Sequence, residues 1–118
     1  MGKDYINTGN EKMNLKDYEG AINYSTKAIE SGSRNFAAYI DRGLAKSELK
    51  DYRGAIKDFS TAIKINPSDA DAYMNRGLAK SEIGNYQEAI LDYNKAIELN
   101  PSCIEAYINR GCTKSDIR

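Results

Sequence analysis

Residues 38–68 read AYIDRGLAKSELKDYRGAIKDFSTAIKINPS and residues 72–102 read AYMNRGLAKSEIGNYQEAILDYNKAIELNPS, two stretches identical at roughly half their positions and offset by 34 residues. The register extends beyond both. Tyr5, Tyr39, Tyr73 and Tyr107 share one slot of the period, Gly9, Gly43, Gly77 and Gly111 a second, and Tyr18, Tyr52 and Tyr86 a third. Ala21, Ala55 and Ala89, then Ala28, Ala62 and Ala96, keep the same step. Self-similarity at a fixed period of this length marks a repeat architecture, in which a unit too small to bury its own apolar face stacks against its neighbours.

Within each period the apolar spacing is helical. Tyr73, Gly77 and Ala79–Ile83 outline one helix; Tyr86, Ala89, Ile90, Tyr93, Ala96 and Ile97 outline the next, three and four residues apart as one helix face requires. Gly84-Asn85 supplies the turn between them. Asn66-Pro67 and Asn100-Pro101 end the second helices, because the residue before proline is pushed out of the helical region. No stretch alternates with period two, so strands are not expected. Glycine inside a helix costs about 1 kcal/mol relative to alanine. Gly43, Gly77 and Gly111 therefore imply close helix contact, with Phe59 and Tyr93 filling the space opposite.

The period and the slots resemble the tetratricopeptide repeat, with repeats at about 2–35, 36–69 and 70–103 and a final helix at 104–118, all in a single domain spanning 1–118. The resemblance implies an all-α fold, a right-handed α-solenoid of stacked antiparallel helix hairpins. The family's first helix carries W-x2-L-G-x2-Y, and here the leucine and tyrosine slots hold Arg42 and Lys46, then Arg76 and Lys80. A charge at a core slot needs a partner. Asp58 and Asp92 on the second helices are placed to supply one. The first repeat is an internal control: Thr8 replaces the arginine, Tyr24 the aspartate, and Ser25 the aromatic, so both charges are lost together.

Composition narrows the function classes. Lysine plus arginine equals aspartate plus glutamate, 17 against 17, so no global field favours nucleic acid or an anionic membrane. No segment approaches the roughly 20 apolar residues of a membrane span, and MGKDYINTGNEK lacks the apolar run of a secretory leader. A cytoplasmic location with Cys103 and Cys112 as free thiols is the expectation. The chain has no histidine, the commonest general base and metal ligand, and no glycine-rich phosphate loop. Acidic and basic side chains recur at equivalent slots in successive repeats, whereas an active site is assembled once. No enzyme activity, cofactor or metal is expected.

What the resemblance implies is a protein–protein interaction module whose first helices line a concave groove for a peptide or partner protein. Read on those slots, the groove has one stripe of Ile6, Ile40, Met74 and Ile108, and a second of Asn10, Leu44, Leu78 and Cys112, four residues further on. Asp41, Asn75, Glu48, Glu82, Asp71, Glu105 and Asp116 flank them, which predicts an apolar floor, acidic edges and a ligand with apolar anchors and a basic segment. Ser47, Ser81 and Ser115 are expected to have little chemistry of their own. One subgroup of the family clamps the acidic tails of heat-shock chaperones with lysines, arginine and asparagines. Of its five slots only Asn10 agrees, while Ile6, Asp41, Asp71 and Asn75 differ. The alternative readings are a self-assembling scaffold joined through the terminal helices as a homo-oligomer, and a piece of a longer array.

Overall fold

The three-and-four spacing is realised as helices throughout the computed structural model, which describes residues 4–32 and 35–116. In chain order these are α1 (Asp4–Asn14), α2 (Tyr18–Glu30), α3 (Phe36–Glu48), α4 (Tyr52–Ile65), α5 (Ala70–Glu82), α6 (Tyr86–Leu99) and α7 (Ile104–Asp116). Among the described residues there is no strand. Most helix starts are capped by a side-chain acceptor: Asp17, Asn35, Asp51 and Asp69 accept from the amides of Gly20, Ala38, Gly54 and Ala72. The tight turn inside each hairpin needs one left-handed residue. It is Gly84 at φ 85°, but Lys16 at 61° and Lys50 at 68° in the equivalent slots, where a side chain costs about 1–2 kcal/mol.

Consecutive helices pack against one another along the whole chain. In addition α1 touches α3, α3 touches α5 and α5 touches α7, whereas among the described residues α2, α4 and α6 make no such contacts with each other. The odd-numbered helices therefore lie on the inner side of a curved stack, an α-solenoid with extents of 49 × 26 × 20 Å.

The small residues and the aromatics meet as the sequence implies. Ala55, Ala62, Ala89 and Ala96 are fully buried, as are the rings of Phe59 and Tyr93. A Cβ on Gly43 would stand 2.5 Å from Phe59 Cε1, and one on Gly77 would stand 2.7 Å from Tyr93 Cε1. Gly111 departs from the expectation: nothing lies within 4 Å of the corresponding point, because no helix covers that side of α7. Ser81 also departs, since its hydroxyl joins those of Tyr93 (3.2 Å) and Thr113 (3.1 Å) and so satisfies the one polar atom of a buried ring.

The basic core slots do find aspartates. Arg42 Nε and Nη2 donate to the two carboxylate oxygens of Asp58, both at 2.8 Å, and Arg76 grips Asp92 in the same two-pronged way at 2.9 and 2.7 Å. Lys46 and Lys80 add a second cation, each 3.2 Å from the same carboxylate. The remaining arginine nitrogen Nη1 reaches backwards to Thr26 at 3.2 Å and to Ser60 at 3.3 Å. On its other side each guanidinium lies over a tyrosine ring, Tyr39 or Tyr73, 5.7 and 5.6 Å from the centroid. Asp58 and Asp92 are only 2% and 4% exposed, so removing one partner leaves a charge stranded, at about 3–5 kcal/mol. Among its described residues the first hairpin has no arginine–aspartate pair, with Thr8 and Tyr24 in the two slots, and the hydroxyl of Ser25 is buried there without a hydrogen-bond partner.

Two predictions follow from this packing. Gly43→Ala and Gly77→Ala each lower the free energy of urea unfolding by about 1–3 kcal/mol through overpacking against the aromatic ring, whereas Gly111→Ala raises it by up to about 1 kcal/mol. Arg76→Ala, Asp92→Ala and the double variant give a coupling energy of about 1–3 kcal/mol in a double-mutant cycle; additive losses would mean that the pair is not coupled.

Candidate functional site

The inner side of the stack carries a cleft between α3 and α5 with a volume of about 230 Å³. Leu44, Ser47 and Glu48 from α3 form one wall, and Asn75, Leu78, Ala79 and Glu82 from α5 form the other. Tyr52 and Phe59 from α4 close it from behind. The floor is thus apolar, the rim bears Glu48 and Glu82, and no lysine or arginine lines it.

The two expected stripes part on α5 but stay together on α3, where Ile40 and Leu44 are both half-buried on the same cluster. Leu44 is half-buried in the cleft wall and Leu78 is 37% exposed, so this stripe offers surface. In the other stripe Met74 turns to the hairpin partner. Met74 is 6% exposed and packs with Ala89, Tyr93 and Ala96, which makes it core and not groove floor. Ile40 is half-buried against Ala55, Phe59 and Ala79. Ile108 is 58% exposed and Cys112 is exposed, both on α7 and apart from the α3–α5 cleft. Asp71 is exposed at the start of α5. The side chains of Ile6, Asn10 and Asp116 lie outside the described residues, as does Ile117. Tyr52 lines the cleft without having been singled out as a groove residue; the recurrence of tyrosine at Tyr18, Tyr52 and Tyr86 was the available signal.

The electrostatics of this face are acidic. Burial pushes the Tyr52 hydroxyl above its ordinary pKa, and the charges of Glu82 and Glu48 push it the same way. Tyr18 is raised likewise, by burial first and then by Glu48. On α3 the half-buried carboxyl of Asp41 is pushed up to about 6 by desolvation. No ion pair involving Asp41 occurs among the described residues. Arg42 and Lys46, next along α3, are engaged by Asp58. Among the described residues no group of three or more Cys, Asp or Glu could hold a metal ion, Cys103 and Cys112 are free, and no helix is long and apolar enough to cross a membrane.

Comparison with known proteins gives the same architecture. Family models described as tetratricopeptide repeat match residues 5–31 and 70–103, and one described as TPR repeat matches residues 43–84. The chain is similar to the TPR domain of Arabidopsis OM64, with 28% identity over 98% of this chain and 96% of that one and a TM-score of 0.94. It is similar to the first TPR of Spaghetti (RPAP3) bound to the HSP90 peptide SRMEEVD, at 27% identity over 98% and 92% of the two chains and a TM-score of 0.95. The second TPR domain of human RPAP3, in complex with the HSP70 peptide SGPTIEEVD, is 26% identical over 96% and 94%, with a TM-score of 0.92. No curated protein matches the chain in sequence.

Asp41 allows a test of the acidic face without any ligand. Its folded-state pKa is raised from 3.8 to about 6, so the stability it contributes is complete below the unfolded value and is lost as pH rises through about 6. Asp41→Asn removes that loss. Urea unfolding should show the variant gaining on the wild type between pH 4 and pH 6 and holding a constant advantage above pH 7; a difference independent of pH would mean that Asp41 is not desolvated.

Proposed function

The chain belongs to the tetratricopeptide repeat family, and on that premise we propose that it is a protein-interaction module, without enzyme activity, that takes a peptide with apolar anchors and a basic segment into the groove of its odd-numbered helices. The observation that carries this reading is the α3–α5 cleft, apolar at its floor with Leu44, Leu78 and Ala79 and lined at its rim by Glu48 and Glu82 with no cation. Asp41, Asp71 and Asn75 extend the acidic and polar edge along the same helices. Apolar anchors supply the affinity. The rim charges contribute roughly 0–1 kcal/mol each and act mainly on encounter rate and on discrimination between ligands.

The two RPAP3 domains are bound to peptides ending in Glu-Glu-Val-Asp. A ligand of that charge meets carboxylates here, at Asp41 and Asp71, and binds this groove poorly for that reason. The cations that a carboxylate tail needs are committed elsewhere: Arg42, Lys46, Arg76 and Lys80 all bind the buried aspartates.

The test compares a Leu/Ile peptide flanked by lysine and arginine with its twin flanked by aspartate and glutamate, at low and moderate salt. The basic peptide binds at least about fivefold more tightly at low salt, and the advantage shrinks as salt rises. Leu78→Glu abolishes binding of the basic peptide with helicity retained. Met74→Glu is not a clean test, because Met74 is core. Equal binding by both peptides, or better binding by the acidic one, would sink the reading.

A further inference from the structure

The cleft between α3 and α5 has two parts of opposite character. Leu44, Leu78 and Ala79, with Phe59 behind them, make an apolar floor, and Glu48 and Glu82 stand exposed at its mouth. The two carboxylates occupy the same slot one repeat apart, each on the last residue of its helix. Each is also steadied by a tyrosine from the second helix of the preceding repeat. Glu82 is within hydrogen-bonding reach of the Tyr52 hydroxyl, and Glu48 of the Tyr18 hydroxyl. The charges of both glutamates act on Tyr52, so they converge on one end of the cleft. Among the described residues neither glutamate has a lysine or arginine partner.

What can fill such a cleft follows from the cost of closing it. An apolar side chain would satisfy the floor but strip water from two carboxylates with nothing in return. A long cationic side chain satisfies both parts, with its methylene stem on the apolar walls and its charge at the mouth. Arginine fits better than lysine. A guanidinium donates along two edges and can answer two carboxylates at once, whereas an ammonium is a compact point charge. A guanidinium also lies over a tyrosine ring, and the chain already places Arg42 over Tyr39 and Arg76 over Tyr73, 5.7 and 5.6 Å from the centroids. Tyr52 offers the corresponding ring in the cleft.

We propose that the α3–α5 cleft is a socket for one arginine side chain from an extended peptide segment of a partner protein. The stem lies between Leu44 and Leu78, and the guanidinium lies between Glu48 and Glu82 against the Tyr52 ring. The proposal rests on the groove being a peptide site, and it gives the ligand's basic segment a place in the cleft itself and not only along the rim. The chain's own arginines are poor donors of that side chain. Arg42, Arg76 and Arg110 are held within the stack, which leaves Arg53 as the exposed one among the described residues. A partner is therefore the favoured source.

The test uses four labelled peptides, each a Leu/Ile host with arginine, lysine, citrulline or leucine at one central position. They are titrated against the full chain by fluorescence anisotropy, with NMR amide shifts to locate the site. The arginine peptide binds at least about tenfold more tightly than the citrulline and leucine peptides, and about threefold more tightly than the lysine peptide. Its shifts centre on α3, α5 and the first turn of α4. Glu48→Gln and Glu82→Gln each remove most of the preference for arginine and leave citrulline binding within about twofold, whereas a loss of structure would weaken both peptides alike. Equal binding of arginine and citrulline overturns the socket, and the peptide groove itself still stands if the peptide flanked by several cations outbinds its acidic twin. Lysine binding as tightly as arginine overturns the choice of a guanidinium. No binding by any of the four at millimolar peptide overturns the socket and the groove together. A dimer in sedimentation that Arg53→Gln dissociates gives the cleft to a second copy and likewise overturns the proposal.

Discussion

A carboxylate that is 2% exposed must be answered within the protein, and in this chain the arrangement of the helices follows from how Asp58 and Asp92 are answered. Each receives two parallel bonds from an arginine on the preceding helix and a third contact from a lysine one turn further on. The fork of a guanidinium tolerates little rotation about the helix axis, so this bonding fixes which faces of α3 and α4, and of α5 and α6, look at each other. Once that face is set, Phe59 lies over Gly43 and Tyr93 over Gly77.

The net stability such a pair adds over a well-packed apolar pair is small, because desolvating both charges offsets most of their attraction. Its effect is on specificity. An apolar contact between two helices survives a slip of register at modest cost, whereas a slip here leaves a charge unanswered in the core. The same commitment shapes the inner surface. With Arg42, Lys46, Arg76 and Lys80 turned toward the aspartates, the acidic residues of the odd-numbered helices are left to set the potential of the groove.

Much of the fold was legible in the sequence because period and helix face are both properties of spacing. The arginine–aspartate pairing was legible for another reason: Thr8 and Tyr24 replace both members together in the first repeat. The candidate groove was less legible. Met74 and Leu78 lie four residues apart and share a helix face, and only the lean of α5 toward α6 decides that one is core and the other surface. Tyr52 enters the cleft from the first turn of a different helix, which no spacing within α3 or α5 reveals. The Ser81–Thr113 contact is likewise a product of packing between repeats, and the desolvation of Asp41 a product of burial. At Gly111 the slot implies a close contact and the structure shows an open side, because the contact depends on a second helix as well as on the glycine.

The backward reach of the arginines gives the stack an order of release. Arg42 touches Thr26 on α2 as well as Asp58 on α4, Arg76 touches Ser60 on α4 as well as Asp92 on α6, and Arg110 touches Asn94 on α6. From α2 to α7 every junction between consecutive helices is thereby crossed by a guanidinium, and peeling the helices apart at any of them ruptures at least one of these bonds. The α1–α2 junction has Thr8 in the arginine slot and, among the described residues, carries no such rivet. Among the described residues, α1 is thus held to the stack by its packing on α2 and α3 and not by an arginine bond.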